Sequence, residues 1–142
     1  GNPGETDEHI IQTAEIVNKL PLTNIKLHNL HALKNTPLEE MYHRGEFLPI
    51  DRETYSHRVK IFLQHLAPHL AMHRLAAFAS RWEELVAPSW TSDKMGTHQY
   101  IIDFLRHEKA YQSQMFKADD VETQTFIERI REKSVPAKLT RL

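Results

Sequence analysis

Two stretches of the 142-residue chain gather residues that could do chemistry. The first is Gly1-Asn2-Pro3-Gly4-Glu5, a turn with two glycines and a proline that opens directly onto a helix-like run. Backbone N–H groups at a helix start can meet a carboxylate or phosphate, because the first turn leaves donors unpaired and the peptide dipoles add up there. The second is Asn24 to Pro37. Read as an extended segment, it puts Ile25 and Leu27 on one side and Lys26, His28, Leu30 and Ala32 on the other, with Lys34 and a Thr36-Pro37 helix start following. An oily face toward helices and a cationic face away from them suit a barrel wall fronting a polar interior, and function is expected in that interior.

Other chemistry is less well supplied. There are ten histidines, and His65, His69 and His73 recur every four residues. Pro68 ends the helix between the first two, so the spacing does not bring three imidazoles together. His28 and His31 stand an odd number apart, which on a strand sends them to opposite faces. The chain has no cysteine, so it offers neither a thiolate nucleophile nor a Cys-ligated metal. It also has no G-x-S-x-G elbow and no phosphate-binding Walker loop. The acid pairs Glu39-Glu40 and Glu83-Glu84 fall in first helical turns, where the helix dipole accounts for them.

The elements that must position these residues can be read from caps and periodicity. Thr6 caps a helix with an apolar stripe of Ile10, Ile11, Ala14, Val17 and Leu20, stopped by Pro21. A strand is expected over Ile25 to Leu33, then a short helix with Thr36 as cap, Pro37 at its first position and Gly45 past its end. Asp51 opens the most regular helix, which Pro68 closes, and Leu70 to Leu75 reads as a second strand. Ser80 and Glu83 predict a capped short helix carrying Trp82, Leu85 and Val86, followed by a polar loop from Trp90 to Asp93. A helix is expected from about Lys94 to Tyr111, with Gly96 an awkward residue in its first turn, and a last one over Phe126, Ile127 and Ile130 before a mobile tail.

Composition bounds the rest. With 40% hydrophobic and 26% charged residues, the chain can form one ordinary globular core. Eighteen basic and 19 acidic residues leave a formal charge of -1, so any site for a polyanion has to be local. No apolar run approaches the roughly 18 residues of a membrane span, and a soluble, cytoplasmic protein is expected. Opening on a turn with no element before it, the chain is expected to be a piece of a longer protein.

Taken together, GNPGET, one helix, and IKLHNLHALKNTPLEEMY resemble the G-L-P-G-E/Q loop, helix and last barrel strand ending in G-T-P of radical S-adenosylmethionine (radical SAM) enzymes. Downstream, RGEF, MHRLAAFAS, LVAPSW and DKMGTHQYIIDFLR are similar to the C-terminal extension of a bacterial branch allied to anaerobic coproporphyrinogen oxidase and the catalytic subunit of Elongator. The resemblance implies an α/β, mainly helical chain: the C-terminal fragment of a partial (βα)6 TIM-type barrel plus a helical extension. Residues 1–44 would hold the last βα units, 45–116 the extension, and 117–142 a terminal helix and tail.

It also implies S-adenosylmethionine and a 4Fe-4S cluster in the parent protein, neither bound by this chain alone, because the C-x-x-x-C-x-x-C loop is not in it. Gly4, Glu5, Lys26, His28 and Thr36 become the cofactor-binding positions, with no catalytic or metal-ligating residue assigned. The implied partners are the N-terminal remainder of the barrel and a small-molecule or RNA substrate, with no membrane and with self-association through the open barrel edge. Two positions depart from the pattern: Asn2 stands for a leucine, and Asn35 for the glycine before Thr-Pro, where asparagine tolerates left-handed backbone. The alternative is a non-catalytic helical interaction module using the Trp82 and Trp90 region.

Overall fold

The computed structural model describes residues 1–79, 81–119, 124–125 and 128–129. The expected last helix over Phe126, Ile127 and Ile130 and the tail after it lie outside the described residues. Four α-helices carry most of the regular structure: α1 (Asp7–Asn18), α2 (Pro37–His43), α3 (Arg52–His65) and α4 (Lys94–His107). Four short strands accompany them: β1 (Asn24–Lys26), β2 (Ala32–Leu33), β3 (Ala71–Arg74) and β4 (Leu85–Ala87). The chain is thus mixed α/β and mostly helical. Among the described residues, no helix is long and apolar enough to cross a membrane.

Local chemistry accounts for the helix starts. The Thr6 hydroxyl accepts from the N–H of His9 while the His9 ring accepts from the N–H of Thr6, so each side chain satisfies a donor that α1 cannot. Thr36 and Asp51 cap α2 and α3 through the N–H groups of Glu39 and Thr54. Ahead of α2, Asn35 has φ of 61°, so asparagine makes the left-handed turn that a glycine would make, and its N–H donates to Glu39 Oε2 at 2.7 Å. Gly96 has a definite use. The Asp93 carboxylate folds over the start of α4 to accept from the Gly96 N–H at 2.9 Å, and a Cβ at Gly96 would stand 2.0 Å from that carboxylate. The α4 helix ends at His107 rather than Tyr111, where Lys109 at φ 52° turns the chain back.

The single strand expected over Ile25 to Leu33 is two strands in different sheets. β1 pairs in parallel with β3, Asn24 opposite Ala71, Ile25 opposite Met72 and Lys26 opposite Arg74, whereas β2 pairs antiparallel with β4. Asn29 is the cause of the break. Its side chain is fully buried, and its Oδ1 accepts from the N–H of Ala77 at 2.9 Å, replacing a ladder bond with a side-chain bond. Beyond this point the alternation no longer holds, so Ala32, expected beside Lys26, is fully buried against Phe47 and Ala87, and Leu30 packs there too.

The short helix expected over Trp82 to Val86 is instead a single 3-10 turn, Trp82–Glu84, followed by β4. Leu85 and Ala87 have the strand edge of β2 to pair with, and that tertiary partner outweighs the local capping signal. Trp90 is not a loop aromatic. It lies in the 3-10 turn Ser89–Ser92, its ring is 5.3 Å from that of Tyr55, and its indole N–H donates to the Ile50 carbonyl at 2.9 Å.

Two apolar clusters fix the parallel ladder against the helices. Ala14 of α1 meets Phe62, Leu66 and Leu70, with Ile25 and Met72 packed on them. Tyr55, Val59 and Leu63 of α3 meet Ile101 and Leu105 of α4. Leu66, Leu70 and Ile101 are at most 1% exposed, and burying side chains of this size contributes about 1.5–3 kcal/mol each. Ile25 and Leu27 therefore pack on the apolar clusters and Lys26 is exposed on the other side of β1, but that side, expected to look away from the helices, is bordered by the first turns of α4.

Candidate functional site

The Gly1–Glu5 turn is held by a residue that the sequence did not single out. Arg58, one turn into α3, donates from Nη1 to Glu5 Oε2 at 2.9 Å and from Nη2 to the Glu5 carbonyl at 2.7 Å. Its Nε makes no hydrogen bond and stands 3.6 Å from Asp7 Oδ1. The Gly1 ammonium also contacts Glu5 Oε2. Burial alone would raise the Glu5 carboxyl, but the hydrogen bond and charge of the Gly1 ammonium, together with the Arg58 guanidinium, outweigh it and hold the carboxyl below the usual range. Gly4, at φ 76°, makes the turn that aims Glu5 inward. Gly1 is packed so closely that a Cβ there would come within 2.7 Å of Ile50 Cγ2.

Beside this clamp lies a cleft of about 190 Å³ between α1, α3 and the end of β1, lined by Glu5, His28, Tyr55 and Arg58 over the apolar wall of Ile10 and Phe62. The Tyr55 hydroxyl donates to the Leu75 carbonyl at 2.7 Å, and burial pushes its phenol up, so it stays protonated. Gly4 borders a second recess of about 410 Å³ on the other side of the same turn. Of the five residues predicted for the site, Gly4, Glu5 and His28 gather around the clamp. Lys26 lines a separate groove bordered by the first turns of α4, and Thr36 is occupied in capping α2 while its hydroxyl donates to the Leu33 carbonyl.

His28 and His31, expected on opposite faces, meet edge to face with ring centroids 5.4 Å apart, because the chain between them is not a strand. His28 Nδ1 lies 2.7 Å from the Asn29 carbonyl, and Asn29 Nδ2 lies 2.8 Å from His31 Nε2. An amide N–H can only donate, so His31 Nε2 accepts and the ring is neutral in this arrangement. Burial, then the charges of His28 and Arg74, push His31 below the ordinary histidine value despite the favourable Ala77 carbonyl. His65 ends α3, His69 sits in the turn after it and His73 is on β3. Among the described residues, no group of three or more histidines or carboxylates could hold a metal ion.

A model of the radical SAM C-terminal domain matches residues 22–107, which includes both ladders, α3 and α4. The chain belongs to the radical SAM C-terminal domain family. Three curated relatives are similar to it: the uncharacterized protein MJ0486 of Methanocaldococcus jannaschii (30% identical over 116 residues, 82% of this chain and 36% of the relative), YtqA of Bacillus subtilis (28% over 117 residues, 82% and 36%) and YhcC of Escherichia coli (32% over 94 residues, 66% and 30%). The chain spans about a third of the length of these relatives. No solved structure matches it. Within this radical SAM C-terminal domain, the Glu5–Arg58 clamp joins a turn that precedes the family match to a helix inside it.

Residues present can be compared with what the family association brings. A 4Fe-4S cluster needs thiolates, and the chain has none, so these residues do not fit as its cage. S-adenosylmethionine fits in part: the cleft offers a carboxylate, a guanidinium and an apolar wall, but about 190 Å³ falls below the roughly 300 Å³ of a small-ligand pocket. This chain can therefore supply a wall of such a site.

Proposed function

We propose that this chain is the C-terminal portion of a radical SAM enzyme, the last strand and helices of its partial barrel together with a helical extension. The reading is carried by one observation: a glycine-proline turn, clamped by Arg58 onto α3, opens a helix that leads into a strand in a parallel ladder. That is the form of a βα unit in a barrel whose site gathers at one end of its strands. S-adenosylmethionine, bound with a reduced 4Fe-4S cluster, supplies a 5′-deoxyadenosyl radical in this family. The remainder of the barrel holds the cluster. Glu5 and Arg58 fix the turn, and His28 and the apolar wall line the cofactor's neighbourhood.

On this reading the chain by itself is inactive and works with the N-terminal remainder of the barrel in the cytoplasm, on a small-molecule or RNA substrate. Its branch is the one allied to coproporphyrinogen oxidase and Elongator. Without the remainder, the free edge of β1 is a place for self-association. Anaerobic reconstitution with iron and sulfide, followed by a visible spectrum and an assay for 5′-deoxyadenosine, tests the proposal. The parent protein should form the cluster and release 5′-deoxyadenosine, and the isolated chain should do neither; a parent that does neither sinks it.

The alternative, a non-catalytic interaction module, draws on Ile16, Leu20 and Leu22, which are 62%, 45% and 39% exposed around the C-terminal end of α1, and on Trp82 at 67%. Trp90 has no part in it, being packed on Tyr55. A clusterless parent protein that binds another protein through this end of α1 would support it.

A further inference from the structure

Between the β1–β3 ladder and the first turns of α4 lies an open groove of about 580 Å³ in which Lys26, His73, Arg74, Lys94 and His98 surround an apolar floor that includes Phe78. Among the described residues, no carboxylate lines it. Lys26, Arg74 and Lys94 take part in none of the ion pairs among the described residues. The nearest acid in sequence, Asp93, has turned its carboxylate into the start of α4 to accept from the Gly96 N–H.

Each of these cations stands where local physics disfavours it. Lys26 and Arg74 are register partners at an irregularity in the parallel ladder, and two like charges side by side repel one another. Lys94 occupies the first position of α4, where the helix dipole is unfavourable to positive charge. Two local costs involving three cations converge on one groove, with no carboxylate among the described residues lining it to offset them, and mark a place where an anion from outside the chain completes the balance.

We propose that this groove binds a phosphorylated small molecule of nucleotide size, its phosphates held by Lys26, Arg74 and Lys94 and its ring seated on the Phe78 side of the floor. Arg74 suits phosphate because a guanidinium presents parallel donors, and the two histidines add ring nitrogens at the same place. The Lys94 ammonium lies 5.9 Å from the Phe78 ring centroid, so charge and aromatic face adjoin. The volume lies within the range of small-ligand pockets. An extended nucleic acid would need a basic track running beyond the groove, and with 18 basic against 19 acidic residues the positive charge here is local. S-adenosylmethionine is the wrong ligand, since its sulfonium would be repelled. The inference does not depend on the proposed function.

The test is calorimetric titration of the full-length protein with ADP, inorganic pyrophosphate and adenosine. ADP should bind, pyrophosphate should compete with it, and adenosine should bind about tenfold more weakly or not at all. Replacing Lys26→Gln together with Arg74→Gln should weaken ADP by about tenfold or more, the loss expected for charged hydrogen bonds. Lys94→Gln serves as the second variant, because losing a cation at a helix start favours folding. Lys19→Gln, at the far end of α1 and outside the groove, should leave ADP binding unchanged. The proposal is overturned if folded protein gives no heat with millimolar ADP or pyrophosphate, if the groove variants bind ADP as the natural protein does, or if adenosine binds as well as ADP. Much tighter binding of a 20-nucleotide RNA, with a salt slope well above the three fixed cations, would also overturn it, in favour of an extended polyanion.

Discussion

The two sides of the parallel ladder handle charge in opposite ways. In the Glu5–Arg58 clamp every carboxylate has a cation and the main donors are spent on named acceptors, so the charges there hold the turn in shape. In the Lys26–Arg74 groove the cations are exposed, and among the described residues no carboxylate lines the groove with them. Paired charge makes a scaffold, whereas unpaired like charge leaves free energy to be recovered by a ligand. The contrast is open to test, since a scaffold residue should cost stability when removed and a ligand residue should not.

Arg58→Ala should have the largest effect. It leaves Glu5 partly buried without its guanidinium and frees the turn, at about 2–3 kcal/mol by urea denaturation. The same carboxylate predicts a pH dependence. The folded value of Glu5 is depressed, so its stabilisation is fully present above the ordinary carboxyl range and is lost as pH falls from there toward the folded value. Melting temperatures of this chain, in which the Gly1 ammonium adds to Arg58, and of its Glu5→Gln variant should therefore converge as the pH is lowered below about 4. If the gap between them stayed constant down to pH 2, the clamp would not be electrostatic.

Asn29→Ala comes next. It strands the buried Ala77 N–H and takes away the donor that keeps His31 neutral, at about 2 kcal/mol. This residue also shows where sequence reading fails. The helices were legible because their caps are local: Thr6, Thr36 and Asp51 each sit three residues from the N–H they satisfy. That Lys26 lies opposite Ile25 and Leu27 was legible too, since alternation needs only β1 itself, but that α4 would border its side was not. Asn29 bonds to a backbone 48 residues away and Arg58 to a turn 53 residues away, and no periodicity carries such pairings. The same holds for β4, whose local capping signal gave way to a strand edge supplied by β2. An arginine on the inner side of a regular helix was the available hint for Arg58, since a long cation beside Tyr55, Val59 and Phe62 needs a partner.

The smallest effect has the opposite sign and discriminates best. Lys26→Glu would set a carboxylate opposite Arg74 in the ladder, turning a like-charge pair into an opposite-charge one. Such cross-strand changes amount to a few tenths of a kcal/mol up to about 1 kcal/mol, so the variant should be about 0.5 kcal/mol more stable than the natural protein in a urea titration. Added salt should shrink the gain, because the pair is exposed to solvent. The same substitution places negative charge where the phosphates would lie, and ADP binding should disappear. A gain in stability coupled to a loss of binding is what a groove kept cationic for a ligand requires. A loss of stability would mean that Lys26 has a structural partner and that the groove is not strained by its own charge, which would remove the physical basis for a ligand there.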